Sequence, residues 1–210
     1  VEPIVVFGAA GRTGARVVEE LRRRGSAVRP TRRRRDPSHD DGAIEVDVLD
    51  RARVRAALEG AAGVIWTVAP SSTRDRALLD AVEHRALADL VVDAREAGVR
   101  RLIVCSSQST EAPQAVPFLA PILAAKALGE AAVAASGLDW TLVRPGGLRD
   151  DLGRSSVRLS KEPLPIGFVS RDDVATVLVE CLARPRTIGC RLDLVSDPSG
   201  HPAESDAAWP

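Results

Sequence analysis

Seven residues near the N-terminus, Gly8-Ala9-Ala10-Gly11-Arg12-Thr13-Gly14, have the composition and spacing of an anion-binding turn. Gly8 permits a tight turn, Gly11 lets the backbone approach a pyrophosphate, and Gly14 lets a helix pack closely on a strand. Such a turn works only with a strand before it and a helix after it, whose first N–H groups and dipole then hold the phosphates. Residues 3–7 are short, apolar and β-branched, as a buried strand is. Residues 13–24 place Val17, Val18 and Leu21 on one face and stop at Gly25, as a helix does. The context predicts a dinucleotide site built from Gly8, Ala10, Gly11, Arg12, Thr13 and Gly14. A plain structural turn is the alternative.

A second chemical feature follows at once. Eight arginines fall between Arg22 and Arg35, and four of them, Arg32 to Arg35, come directly after a strand candidate at 27–31. Dinucleotide sites that take NAD place an acid there for the ribose 2′-hydroxyl, and those that take NADP place arginine. The first acid is Asp36. A guanidinium grips a 2′-phosphate with two parallel hydrogen bonds and stays charged. NADP(H) is therefore the expected cofactor, with a solvated arginine run as the alternative. Nucleic acid is disfavoured, because no stacking aromatics interleave the run.

The elements needed to position these residues recur along the chain. Strand patterns at 44–48, 63–68, 101–105, 140–143 and 191–195 alternate with helical patterns at 51–58, 74–97, 119–136 and 171–183. Short apolar runs alternating with helices indicate βαβ units. The right-handed crossover rule makes the fold a doubly wound α/β Rossmann-type parallel sheet. One domain over 1–196 is expected, with a substrate region at about 147–170 and 188–196 and a loose tail at 197–210. Residues 106–121, with Pro113, Pro117 and Pro121, read as a loop over the sheet's carboxyl edge.

Composition bounds the rest. The 29 cationic residues balance 29 acidic ones, and only Lys126 and Lys161 are lysines. Three cysteines without CxxC spacing argue against a disulfide framework and a cysteine zinc site. No apolar run reaches the roughly 18 residues of a membrane span. The chain enters a strand without a signal-peptide pattern, so a cytoplasmic setting is expected. Tyrosine is absent altogether.

The GxxGxxG spacing of the first turn resembles the atypical short-chain dehydrogenase/reductases, in their NmrA-like NAD(P)H-binding branch. Residues 97–107, AGVRRLIVCSS, look like that branch's fifth strand and serine turn. Residues 136–147, SGLDWTLVRPGG, are similar to its most specific segment, and residues 170–175, SRDDVA, resemble its last helix start. The likeness runs from residue 3 to about 195. It implies that Arg33, with Arg12 and Arg32 beside it, meets the 2′-phosphate. It also implies that Asp47 and Val48 lie near adenine, and that Val68 and Ala69 meet the cofactor ribose. Ser106, Pro145 and Gly146 would lie at the nicotinamide end.

The superfamily's catalytic set is Ser, Tyr and Lys, the last two spaced YxxxK. Ser107 matches the serine and Lys126 the lysine, but Ile122 stands where the tyrosine should be. An isoleucine donates no proton. Loss of a positioned acid costs a ketone reductase on the order of 10²–10⁴-fold. The expectation is an NADPH-dependent oxidoreductase that passes hydride to a conjugated acceptor of quinone, flavin or enone type. A redox-neutral isomerase or cyclase and a non-catalytic NADP(H) sensor are the alternatives. The partner is a small molecule, and the chain is a monomer or homodimer. Asp172 and Asp173 read as caps of the last helix, His84 as a packing residue and Trp66 as core.

Overall fold

The computed structural model describes residues 2–34, 42–151, 153 and 156–210. Arg35, Asp36 and His39 lie outside the described residues. The chain begins with β1 (Ile4–Phe7), α1 (Arg12–Arg23), β2 (Val28–Arg32), the two-residue β3 (Ile44–Glu45), α2 (Arg51–Leu58) and β4 (Gly63–Trp66). One long helical stretch follows in three parts: α3 (Arg76–Leu79), a π-helical segment (Asp80–Arg85) and α4 (Ala86–Glu96). Then come β5 (Arg101–Cys105), α5 (Ala120–Ala134), β6 (Asp139–Pro145), β7 (Gly147–Arg149), β8 (Val157–Ser160), β9 (Phe168–Ser170), α6 (Arg171–Leu182) and β10 (Cys190–Ser196).

The main sheet has the order β3-β2-β1-β4-β5-β6-β10-β8. Its strands pair in parallel except β8, which runs antiparallel to β10. The order reverses at β1, so the carboxyl ends of β1 and β4 flank the crevice where such sheets bind ligands. Side-chain alternation builds two apolar layers. Val6, Ile65 and Ile103 face α1 and α6, with Val17, Leu21, Val174 and Leu178. Val5, Phe7, Val64, Trp66 and Leu102 face α2 and α4, with Val54, Leu58 and Leu90. Trp66 is 1% exposed and tilts against Phe7 at 5.6 Å, so it is core.

Local chemistry fixes the helix ends. Asp50 accepts a hydrogen bond from the Arg53 amide (3.2 Å) and caps α2. The cap of α6 corrects one expectation: Ser170, not Asp172 or Asp173, holds it, accepting from the Asp172 amide at 3.1 Å. The two acids sit instead in the first turn, where they meet the positive end of the helix dipole.

Three elements differ from the sequence reading. Strands β7 and β9 form a small separate parallel pair, and β8 extends the main sheet within the expected substrate region. The helix at 74–97 contains a π segment in its middle. The segment after β10 is not loose. Ala203, Ala208 and Trp209 are buried in the layer beside α6, the Trp209 indole N–H donates to the Ala203 carbonyl (2.8 Å), and Arg184 lies over the Trp209 ring at 4.9 Å. Three spaced apolar side chains anchor a segment whose prolines and polar residues suggested the opposite.

Candidate functional site

The glycine turn between β1 and α1 is built by close approach. Gly8 has φ of +86°, the left-handed region that glycine adopts without strain. A Cβ there would stand 2.9 Å from the Thr67 and Val68 backbone at the end of β4. A Cβ on Gly14 would stand 2.2 Å from the Gly8 carbonyl oxygen and 2.7 Å from Thr67 Oγ1. Gly14 therefore serves packing, as its spacing predicts, and lies beneath the turn. Gly11 is the N-cap of α1 with no side-chain cap, and the first turn carries no acid. Helix amides without a capping side chain, at the positive end of the dipole, form an anion site.

A cleft of about 470 Å³ opens above this turn. Of the expected residues it gathers Gly8, Ala10, Gly11, Arg12 and Thr13 from the turn, and Arg32 and Arg33 from the end of β2. Asp47 and Val48, after β3, and Val68 and Ala69, after β4, also line it. One Asp47 oxygen accepts from the Leu49 amide at 3.0 Å, and this turn fixes the carboxylate. Four guanidiniums, of Arg12, Arg32, Arg33 and Arg171, and one carboxylate, of Asp47, line the cleft. Cationic side chains thus outnumber acidic ones along the lining, although the chain's formal net charge is zero.

Sequence reasoning missed Leu78 and Val82, Leu148 of β7 and Arg171 of α6, which also line the cleft. Arg171 had a local signal, the helix-start motif, but only the fold brings that helix to the glycine turn. Asp150 ties the two together. It pairs with Arg12 at 2.7 Å and Arg171 at 2.9 Å, while Arg16 stands at 3.6 Å and binds Asp172 at 2.6 Å. Partial burial opposes ionisation of Asp150, but Arg171 and Arg12 prevail and hold its carboxyl below the ordinary range.

Ser106, Ser107, Lys126, Pro145 and Gly146 are not among the residues lining the cleft. Most of their polar groups already have partners. The Ser106 hydroxyl donates to Glu130, which is 3% exposed and also accepts from Thr110 (3.1 Å) and from the Arg144 guanidinium. Arg144 reaches Glu111 as well, at 2.7 Å. The Pro145 carbonyl accepts from the Gln108 amide and the Gly146 amide donates to Leu194, both at 3.0 Å. The Gln108 side chain is pinned by Asp193 at 3.2 Å. Lys126 pairs with Glu83 of the π-helical segment at 2.9 Å. Ser107, just past β5, is half-buried, and so is Ile122.

No strong acid or nucleophile emerges beside them. Burial pushes the Cys105 thiol up to about 11, against the lowering effect of Lys126, so it stays protonated. His84 pairs with Asp80 one turn away, at 2.9 Å, as a helix-surface contact. Among the described residues no group of His, Cys, Asp and Glu could hold a metal ion, and no helix is long and apolar enough to cross a membrane.

Crevice, glycine turn and uncapped helix end together define an NAD(P)-binding Rossmann-type protein. Comparison with known proteins narrows the class: a family described as NAD(P)H-binding matches residues 8–185, and the chain belongs to it. A Bacillus subtilis protein named as an uncharacterized sugar epimerase is 34% identical over 144 residues, 67% of this chain and 66% of its own length. An uncharacterized chloroplastic protein of Arabidopsis thaliana is 30% identical over 199 residues, 85% of this chain and 71% of its own. The chain thus spans about two thirds of the length of these relatives. Among solved structures, a putative NAD-dependent epimerase/dehydratase from Bacillus halodurans superposes with a TM-score of 0.87 at 22% identity, covering 97% of both chains. ChuY, an anaerobilin reductase from Escherichia coli O157:H7, gives 0.79 at 24% identity, covering 95% of this chain and 99% of its own. At these identities the likeness is one of fold.

Proposed function

We propose that the chain is an NADPH-dependent reductase that passes hydride to a small conjugated acceptor, of quinone, flavin or enone type. The observation that carries the cofactor preference is the placement of Arg32 and Arg33 in one cleft with the glycine turn. Two guanidiniums at the end of β2 favour a 2′-phosphate over a free hydroxyl. The α1 amides and Arg12 take the pyrophosphate, Asp47 accepts from the adenine amino group, and Val48, Val68 and Ala69 pack along the nucleosides. Lys126 holds the nicotinamide ribose and Ser107 the acceptor's oxygen. When bound, the reduced nicotinamide supplies the hydride.

The acceptor class follows from what the chain lacks. A ketone needs a proton at its oxygen as the hydride arrives, and Ile122 cannot give one. A conjugated acceptor leaves a delocalised anion that water protonates. ChuY, named as an anaerobilin reductase, supports a reductase reading by analogy of fold only. The reading carries a cytoplasmic setting, where NADPH is supplied and thiols stay reduced.

NADPH and NADH titration, followed by NADPH oxidation with a panel of quinones, flavins and enones, tests it. Turnover with NADPH and not with simple ketones is expected. Tight NADPH binding without turnover of any acceptor would turn the protein into a sensor. Equal affinity for NADH would remove the 2′-phosphate reading.

A further inference from the structure

The long helical stretch after β4 loses its α geometry at Asp80–Arg85, and the one acid of that segment that turns fully inward is Glu83. Helix α5 crosses it so closely that a Cβ on Gly129 would stand 2.1 Å from the Glu83 carbonyl oxygen. The glycine thus seats Lys126, one turn earlier, against the Glu83 carboxylate. Nζ and Oε2 are 2.9 Å apart, and the side chains are 13% and 3% exposed. The other oxygen, Oε1, is enclosed and has no hydrogen-bond partner among the described residues.

Glu130, four residues beyond Lys126 on α5, behaves differently. It takes hydrogen bonds from Ser106, Thr110 and Arg144, and so knits the fold. Among the described residues Glu83 has one side-chain partner, Lys126. A buried pair with an unfilled oxygen is a poor way to hold two helices together, because apolar side chains of equal volume do so without the desolvation cost. It is well suited to keeping one ammonium charged and aimed.

We propose that Glu83 is the positioning residue of Lys126, fixing its ammonium toward the hydroxyls of the cofactor's nicotinamide ribose. This rests on the reading that Lys126 serves that ribose. The groups facing Lys126 are Glu83, the Cys105 thiol at the end of β5, and Glu130 on its own helix, while Arg171 of α6 acts on Cys105. Burial works against the charged ammonium, but Glu83 outweighs it and leaves the lysine's proton affinity raised. With Glu83 neutralised, burial prevails and the ammonium becomes easier to deprotonate.

The test uses the full chain as wild type, Glu83→Gln, Glu83→Asp, Lys126→Met and the Lys126→Met/Glu83→Gln double variant. Binding of 2′,5′-ADP, which reports the adenine half, and of NADPH is titrated between about pH 6 and 9, a range that brackets a lowered lysine pKa. Glu83→Gln should bind 2′,5′-ADP as wild type does and NADPH about tenfold more weakly, the size of one lost charge-assisted hydrogen bond. The deficit should widen as pH rises, and Glu83→Asp should recover most of it. Wild-type NADPH affinity in folded Glu83→Gln at every pH would overturn the proposal and leave the pair a strut. Where Glu83→Gln does not fold, the charge-free double variant decides: NADPH binding as weak as in Lys126→Met supports the proposal, and wild-type binding overturns it. Failure of the wild type to bind 2′,5′-ADP would instead overturn the cofactor reading, and this inference with it.

Discussion

The glycine turn and the region past β5 and β6 are built on opposite plans. At the glycine turn, backbone amides from consecutive residues and guanidiniums from Arg12, Arg32, Arg33 and Arg171 are presented to the cleft. Past β5 and β6 the polar side chains are paired with each other, through Glu130 with Arg144 and Glu83 with Lys126. The first end offers donors to an incoming anion. The second offers a wall of buried ion pairs in which, among the described residues, Glu83 Oε1 still lacks a partner. On the proposed reading, a strong grip at one end with Ile122 in place of a proton donor at the other favours an acceptor that stabilises its own charge.

Removing one half of the wall should have the largest effect. Arg144→Met leaves Glu130 buried without its guanidinium and should cost about 3–5 kcal/mol of stability, the usual penalty for breaking a buried pair from one side. Chemical denaturation measures it, and an unchanged midpoint would mean that the wall is not a buried ion-pair network. At the other end, Arg33→Ala should weaken NADPH binding by about 1.5–3 kcal/mol while leaving NADH unchanged, as loss of a charge-assisted contact predicts. Equal losses for both cofactors would blur the distinction between the two ends. Gly14→Ala forces a Cβ onto the Gly8 carbonyl, 2.2 Å away. It should lower stability by roughly 1–3 kcal/mol through overpacking, and cofactor affinity should fall with it, since the same carbonyl shapes the turn.

Acid should act more gently. Glu20 and Glu111 lie below their ordinary value of 4.5 because Arg23 and Arg144 bind their charged forms. Their contribution is complete above that value and is lost as pH falls through the lower folded values. Melting temperature should therefore hold steady from neutrality down to about pH 5 and decline below it. The smallest effect concerns the thiols. Cys105 and Cys181, raised by burial to about 11 and about 12, should resist alkylation at neutral pH in the folded chain. Fast labelling of Cys105 would show that the wall opens, and of Cys181 that the layer between α1 and α6 does.

The same division explains what could be read from sequence. The glycine turn is legible because seven consecutive residues make it. Helix α2 matches its expected ends because Asp50 caps it and Gly60 stops it locally. The wall was not legible, because its partners are far apart: Glu83 and Lys126 are 43 residues apart, and Gln108 and Asp193 are 85. The resemblance assigned Ser106 and Lys126 to the nicotinamide end, and it could not tell that each would face a buried carboxylate. Strands β7 and β9 escaped notice because three-residue strands carry no measurable alternation. The packed C-terminal segment escaped because its anchors, Ala203, Ala208 and Trp209, follow no period.

The π-helical turn also sets a phase relation. A wide turn holds one residue more than an α turn, so it offsets the residues before it from those after it by about 100° around the axis. Leu78 lines the cleft, whereas Leu87 and Leu90 pack in the core layer against α2 and the sheet. Deleting one residue within 80–85 would re-index the helix like a gear slipped by one tooth. Either the cleft would lose its apolar flank or the core would lose its leucines. That makes the segment intolerant of single-residue deletions, while substitutions at its exposed positions, such as Arg85, should pass unnoticed.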